Sequence, residues 1–67
     1  MTWSAFIENL RAEFLGEKIM YQDRIYNITK VDLNGVVYID MPSPYYPDTA
    51  VYDYAEARKH LVKEVKL

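Results

Sequence analysis

The side chains best suited to recognition or chemistry are concentrated between residues 31 and 57. This stretch holds five of the chain's seven tyrosines and contains no Lys or Arg. Three prolines fall at positions 42, 44 and 47, around the pair Tyr45-Tyr46. Aromatic side chains on a loop stiffened by proline bind partners at low entropic cost, and such surfaces recur in recognition sites. The pattern therefore favours recognition of a partner over catalysis.

We predict that the chain docks a protein partner through the tyrosine-, proline- and aspartate-rich 42–54 segment. The expected contact residues are Tyr45, Tyr46, Asp48, Tyr52 and Asp53. Tyrosine combines a large apolar ring with a hydroxyl group, so it contributes strongly to interface hot spots. The alternative is structural, because a small domain needs most of its aromatic side chains for its own core.

The carboxylates of the same stretch fit no known ligand pattern for a metal ion. Asp32, Asp40, Asp48 and Asp53 are spaced by 8, 8 and 5 residues, with no glycine after position 35 to form the bend of a calcium loop. The single histidine, His60, has no cysteine to activate, and two glycines are too few for a phosphate-binding loop. We therefore predict no catalytic residue, no metal site and no cofactor.

Charge is distributed unevenly along the chain. Residues 1–57 carry nine acidic and four basic side chains, whereas residues 58–67 carry four basic side chains and one acidic side chain. Arg58, Lys59 and Lys63 are the candidates for phosphate contacts. A second hypothesis is therefore a nucleic-acid-associated protein, which binds through this basic end or imitates DNA with its acidic face. So few cations, with no aromatic side chain between them to stack on a base, argue against nucleic acid as the partner.

Length and composition indicate one compact domain spanning residues 1–67. A chain of 67 residues without cysteine must be stabilised by its apolar core, by self-association, or by both. A structural homo-oligomer, such as a homodimer, is therefore a third hypothesis. The opening residues have neither a basic region nor a continuous apolar run, so we expect no membrane association and a cytoplasmic location.

The first predicted element is an amphipathic helix near the amino terminus. Trp3, Phe6, Ile7, Leu10 and Phe14 recur at the spacing of one helical face. Thr2 or Ser4 can cap the start of the helix, and Gly16 can end it in a left-handed conformation.

Three β-like runs follow, at 18–21, 25–32 and 36–41, and Asn34-Gly35 predicts a hairpin between the last two. A two-residue loop would scatter apolar side chains over both faces. A three-residue loop, Leu33-Asn34-Gly35, pairs Lys30 with Tyr38 and gathers the apolar side chains on one face, so we favour it. The first helix is then expected to pack on Ile25, Val31, Val37, Ile39 and Met41.

After the tyrosine-rich segment, Asp53 can cap a short second helix. Residues 61–67 are compatible with a helical extension or a strand, and we favour a strand. The expected fold is α+β: an N-terminal amphipathic helix packed on a three- to four-stranded antiparallel meander, with a short second helix near the C-terminus. The preferred function is a non-enzymatic interaction module, such as a small adaptor, regulator or inhibitor, with a phage or other mobile element as the hypothetical source.

Overall fold

The computed structural model describes residues 2–62 and confirms the α+β fold. Its elements are α1 (Trp3–Phe14), β1 (Lys18–Tyr21), β2 (Arg24–Val31), β3 (Val36–Ile39), β4 (Thr49–Asp53), α2 (Tyr54–His60) and β5 (Leu61–Val62). The strands form one antiparallel sheet in the order β4-β3-β2-β1-β5. The sheet thus has five strands in the described part of the chain, where the sequence predicted three or four.

Helix α1 begins and ends at the predicted residues. The Thr2 hydroxyl accepts a hydrogen bond from the Ala5 amide at 3.2 Å, and Gly16 follows the helix with φ of +87°. Ile7, Leu10 and Phe14 are buried, as their spacing predicted. Trp3 is different: although it lies on the same predicted face, it is 53 % exposed.

The β2–β3 hairpin has the predicted three-residue loop, which gathers apolar side chains on one face of the sheet. Lys30 pairs with Tyr38, and the Asp32 amide donates to the Val36 carbonyl at 3.0 Å. The Asp32 carboxylate closes the loop by accepting from the Val36 amide at 2.9 Å. Gly35 has φ of +80°, which is the left-handed conformation that this loop requires.

A β-bulge in β2 corrects part of the predicted core. The register shifts between Ile28 and Lys30, which leaves one extra residue, Thr29, on this strand. Because a bulge reverses the alternation of side chains, Ile28 and Val31 both face the core. Ile25, which was expected beneath α1, is instead 54 % exposed.

Strand β4 is the element that the sequence missed. Thr49–Asp53 was assigned to the tyrosine-rich segment, but it pairs with β3 along its length. Tyr52 lies opposite Val37, and a bulge beside this pair displaces Val51 from the regular ladder. Prolines and an aspartate immediately before the strand conceal its start, since both residue types are typical of loops.

The end of the described chain is a short helix followed by a short strand. The Asp53 carboxylate accepts from the Glu56 amide at 2.8 Å and caps α2, as predicted. Leu61 and Val62 then pair with Ile19 and Lys18 of β1. The strand interpretation is confirmed for 61–62, whereas 63–67, including Lys63, lie outside the described residues.

One apolar core holds these elements together. Its buried members come from both helices and three strands: Ile7, Leu10, Phe14, Ile19, Ile28, Val31, Val37, Ile39 and Ala57. No buried side-chain nitrogen or oxygen within residues 2–62 lacks a hydrogen-bond partner. The opposite face of the sheet, together with the loop between β3 and β4, is therefore free to carry polar and aromatic side chains.

Candidate functional site

The loop between β3 and β4, residues 40–48, presents two tyrosines to solvent. Tyr45 is 88 % exposed and Tyr46 is 68 % exposed. Ser43 closes a tight turn beneath them: its amide donates to the Tyr46 carbonyl at 2.9 Å, and its hydroxyl accepts from the Tyr46 amide at 3.1 Å. Pro44 occupies the second position of this turn, where proline's fixed φ fits. The tyrosines are thus displayed by an internally bonded loop.

The end of this loop is fixed to the sheet by polar contacts. The Thr49 hydroxyl donates to the Met41 carbonyl at 2.7 Å, which ties the start of β4 to the end of β3. The Thr29 hydroxyl donates to Asp48 Oδ2 at 3.3 Å. Thr29 is the bulged residue of β2, so the bulge that reorganises the core also supplies a contact for the loop.

A groove of about 470 Å³ runs between the loop and the outer face of the sheet. Its walls include Lys30, Tyr38, Ser43, Tyr46, Asp48 and Ala50. The Lys30 ammonium lies 4.6 Å from the centroid of the Tyr38 ring, a cation–π distance. Tyr46 and Asp48, two of the predicted contact residues, therefore line the same cavity. We call this cavity the outer groove.

Tyr38 joins the outer groove to the hairpin loop. Its hydroxyl donates to Asp32 Oδ2 at 3.3 Å. Partial burial raises the pKa of this hydroxyl above 10.0, and the Asp32 carboxylate, with its hydrogen bond, and Asp48 act in the same direction. Tyr38 is therefore a neutral hydrogen-bond donor at physiological pH.

The other two predicted contact residues have structural partners. The Tyr52 ring stacks on His60 with centroids 4.6 Å apart and planes 8° from parallel, and it meets Tyr21 edge-on at 5.7 Å. Asp53 caps α2 through its bond to Glu56. The structure thus brings Tyr46 and Asp48 together in one groove and leaves Tyr45 exposed on the same loop, while Tyr52 and Asp53 belong to the junction of β4 with α2.

The acidic side chains of residues 31–57 do not form one free face. Asp40 accepts from the backbone amide of Asn27 at 3.1 Å and from its side chain at 3.0 Å. Asp32 closes the hairpin loop, and Glu56 lies 3.8 Å from Lys59. Among the described residues, no group of three His, Cys, Asp or Glu side chains could hold a metal ion.

The described cations of the basic end also have acidic partners. Arg58 forms a two-pronged pair with Glu13, with N–O distances of 2.7 and 2.8 Å. The bond to Glu13 raises the pKa of Arg58. The same guanidinium lies 5.6 Å from the Tyr54 ring. Arg58 therefore ties α2 to α1, and Lys59, beside Glu56, is the more accessible cation.

An exposed aromatic patch outside the outer groove combines part of the α1 stripe with residues from elsewhere in the chain. It consists of Trp3, Phe6, Leu33 and Tyr54. Phe6 lies between Trp3 and Tyr54, with ring centroids 5.2 and 5.1 Å away. The Trp3 indole donates to the Leu33 carbonyl at 2.6 Å. In the sequence Leu33 appears only as a loop residue, so nothing there signals its approach to Trp3.

Neither helix within residues 2–62 has the length and apolar character needed to cross a membrane. Comparisons with protein-family models, with curated proteins and with solved structures give no significant match.

Proposed function

We propose that this chain is a non-enzymatic protein-docking module, a small regulator, adaptor or inhibitor, that binds its partner through the β3–β4 loop. The observation that supports the proposal is the exposure of Tyr45 and Tyr46 at 88 % and 68 %. Neither ring is needed to cover the core, whose buried members come from the helices and from β1, β2 and β3.

The loop also has the mechanical properties that docking requires. Ser43 bonds to both backbone groups of Tyr46, and the prolines restrict the intervening backbone. A loop ordered before binding loses little conformational entropy when the partner arrives. Two adjacent tyrosines can then bury large apolar area in a partner's cavity and use their hydroxyls at its rim.

Affinity capture with matched variants tests the proposal. The tagged chain is incubated with lysate of its native host, with and without nuclease, beside the double variant Tyr45→Ser/Tyr46→Ser. Leu33→Ser is the control, since Leu33 is 67 % exposed but lies in the aromatic patch. We expect a nuclease-resistant protein partner that the double variant loses and the control retains. A partner retained equally by all three chains would contradict docking through this loop.

A homo-oligomer is the second candidate, and the aromatic patch favours it. Trp3 is 53 % exposed and Leu33 is 67 % exposed, on a surface that two copies could share. Sedimentation velocity over a wide concentration range distinguishes the candidates. A concentration-dependent dimer that Trp3→Ser abolishes would support self-association, and a monomer at all concentrations would reject it.

The comparison with and without nuclease in the capture experiment tests whether the chain binds nucleic acid. Lys59→Ala is a better probe of the basic end than Arg58→Ala, because Arg58 is bonded to Glu13. If the captured partner is lost after nuclease treatment and also with Lys59→Ala, the chain would instead bind nucleic acid through its basic end.

A further inference from the structure

We infer that the partner of the β3–β4 loop presents a cationic segment, and that one of its Lys or Arg side chains enters the outer groove over the ring of Tyr38. The inference rests on the proposed function and specifies the chemistry of the partner. It follows from a contact within the chain, from the charge around the groove, and from the position of Tyr46.

The contact within the chain is that of Lys30 with Tyr38. The Lys30 ammonium lies 4.6 Å from the ring centroid, where the negative face of an aromatic ring attracts a cation. The groove therefore accommodates a primary ammonium group in this position. Lys30 acts as an internal substitute for the proposed ligand.

Charge around the groove favours a cation from outside. Asp48 lies in the wall, and its Oδ2 accepts a hydrogen bond from the neutral Thr29 hydroxyl at 3.3 Å. Within residues 2–62 Asp48 forms no ion pair. Behind Tyr38, the Asp32 carboxylate accepts from the phenol hydroxyl at 3.3 Å and adds negative charge at the hydroxyl end of the ring. Asp48 and Asp32 thus place two carboxylates beside the groove against one cation in its wall, Lys30.

Lys30 can leave the groove at small cost. Its side chain is exposed, and within residues 2–62 it forms no ion pair, so only the weak contact with Tyr38 retains it. An incoming arginine would stack its planar guanidinium on the ring and donate two hydrogen bonds to Asp48, which an ammonium group cannot match. Tyr46 also lines the groove, so the same partner segment would touch this exposed tyrosine.

The probe is the peptide acetyl-Gly-Arg-Gly-Arg-Gly-amide, titrated at low ionic strength into the full chain and followed by NMR. The same peptide with Glu in place of Arg is the ligand control. We expect the Arg peptide to shift resonances of Lys30, Tyr38, Tyr46 and Ala50, and the Glu peptide to leave them in place. Added salt should weaken binding, because the groove is exposed to solvent.

The decisive variant is Lys30→Ala, which removes the internal competitor. Release of one exposed cation–π contact predicts tighter binding of the Arg peptide by about twofold to fivefold. Asp48→Asn should weaken binding, and Trp3→Ser, in the aromatic patch, should not change it. All three positions are at least partly exposed, and the NMR spectrum of each variant reports directly whether it is folded.

Weaker binding after Lys30→Ala, or equal shifts with the Glu peptide, would overturn the inference, because the groove would then prefer an anion or neither charge. The proposed function fails separately. A lysate partner lost in Tyr45→Ser/Tyr46→Ser but bound less tightly after Lys30→Ala would retain the docking module and reject the cationic partner. Specific binding of the Arg peptide, with no lysate partner that depends on the loop, would reject the docking module and retain the cationic ligand of the groove.

Discussion

Gly35 lies directly beneath the ring of Tyr54. A Cβ atom built on Gly35 would come within 2.8 Å of Tyr54 Cδ1 and 3.3 Å of Cε1. Gly35 closes the β2–β3 hairpin, whereas Tyr54 is the first residue of α2, so this contact joins the hairpin loop to the second helix. The glycine has a double role: it provides a left-handed backbone and leaves room for an aromatic ring.

Gly35→Ala should therefore be strongly destabilising. A left-handed conformation costs an alanine about 1–2 kcal/mol, and displacement of the packed Tyr54 ring adds about 1–3 kcal/mol. We expect the free energy of unfolding to fall by about 2–5 kcal/mol, as measured by urea denaturation followed by circular dichroism.

Gly16→Ala is the matched control, because Gly16 has φ of +87° but nothing within 4 Å of its missing Cβ. This variant should lose only the backbone contribution, about 1–2 kcal/mol. Equal losses at the two positions would show that the contact with Tyr54 contributes nothing to stability.

The hairpin shows which parts of the fold local sequence determines. Asn34-Gly35 locates the loop, and only one register places Val31, Val37 and Ile39 together on one face, so the pairing beside the loop, Lys30 with Tyr38, was predicted. The buried stripe of α1 was predicted for the same reason, since its spacing permits only one apolar face.

The errors arise where the chain departs from a regular period. No residue type identifies the bulge at Thr29, so the period-two pattern was extended through it, which placed Ile25 in the core and omitted Ile28. Loop-like residues before position 49 concealed β4.

The candidate site was predictable only in part, because two of its walls come from distant parts of the chain. Tyr45, Tyr46 and Asp48 were identified from their proline-rich surroundings. Lys30 and Tyr38 were predicted to pair with each other, but the β3–β4 loop lies beside them because β4 pairs with β3, and that pairing was not predicted.

The turn between β1 and β2 offers a stabilising substitution. Gln22 and Asp23 have φ of 50° and 63°, in the left-handed region that Gln disfavours and that Gly and Asn adopt more readily. Gln22→Asn/Asp23→Gly gives this turn its preferred sequence and should raise the free energy of unfolding by about 1 kcal/mol. Urea denaturation would detect the change, and Asp23→Pro is the opposite control, since proline cannot adopt this φ. A double variant no more stable than the parent chain would argue against this turn geometry.

The Arg58–Glu13 pair should contribute little to stability despite its geometry. Both side chains are partly exposed, at 45 % and 37 %, so solvent screens their attraction. A double-mutant cycle with Arg58→Ala and Glu13→Ala should give a coupling energy below about 1 kcal/mol, decreasing in 1 M salt. The cycle is needed because Glu13 has further interactions that a single variant would also remove. The Arg11–Glu8 pair, at 2.7 Å within α1, is the local comparison. For Arg58–Glu13, a coupling energy well above about 1 kcal/mol that does not change with salt would indicate a pair shielded from water.

Tyr38 should make folding stability depend on pH in the alkaline range. Its pKa in the folded chain is raised above 10.0 by partial burial, by Asp32 and by Asp48, so the folded state favours the protonated phenol. This contribution to stability is fully present below the unfolded pKa and is lost as pH rises through the folded pKa. The free energy of unfolding, measured from about pH 8 to about pH 11, should therefore fall as pH rises above the unfolded pKa of about 10, whereas a tyrosine with the same pKa in both states would add no pH dependence.

Tyr38→Phe and Asp32→Asn separate the causes of this dependence. The phenylalanine variant keeps the ring beneath Lys30 but has no proton to lose, so its stability should lack the component of the alkaline profile that Tyr38 supplies. The asparagine variant removes the neighbouring charge while its amide oxygen can still accept from the hairpin amides, and it should lower the pKa of Tyr38 towards the ordinary value. NMR titration of tyrosine labelled with ¹³C at Cζ measures that pKa directly. A Tyr38 pKa unchanged by Asp32→Asn would mean that the hydrogen bond between the two residues does not persist in solution.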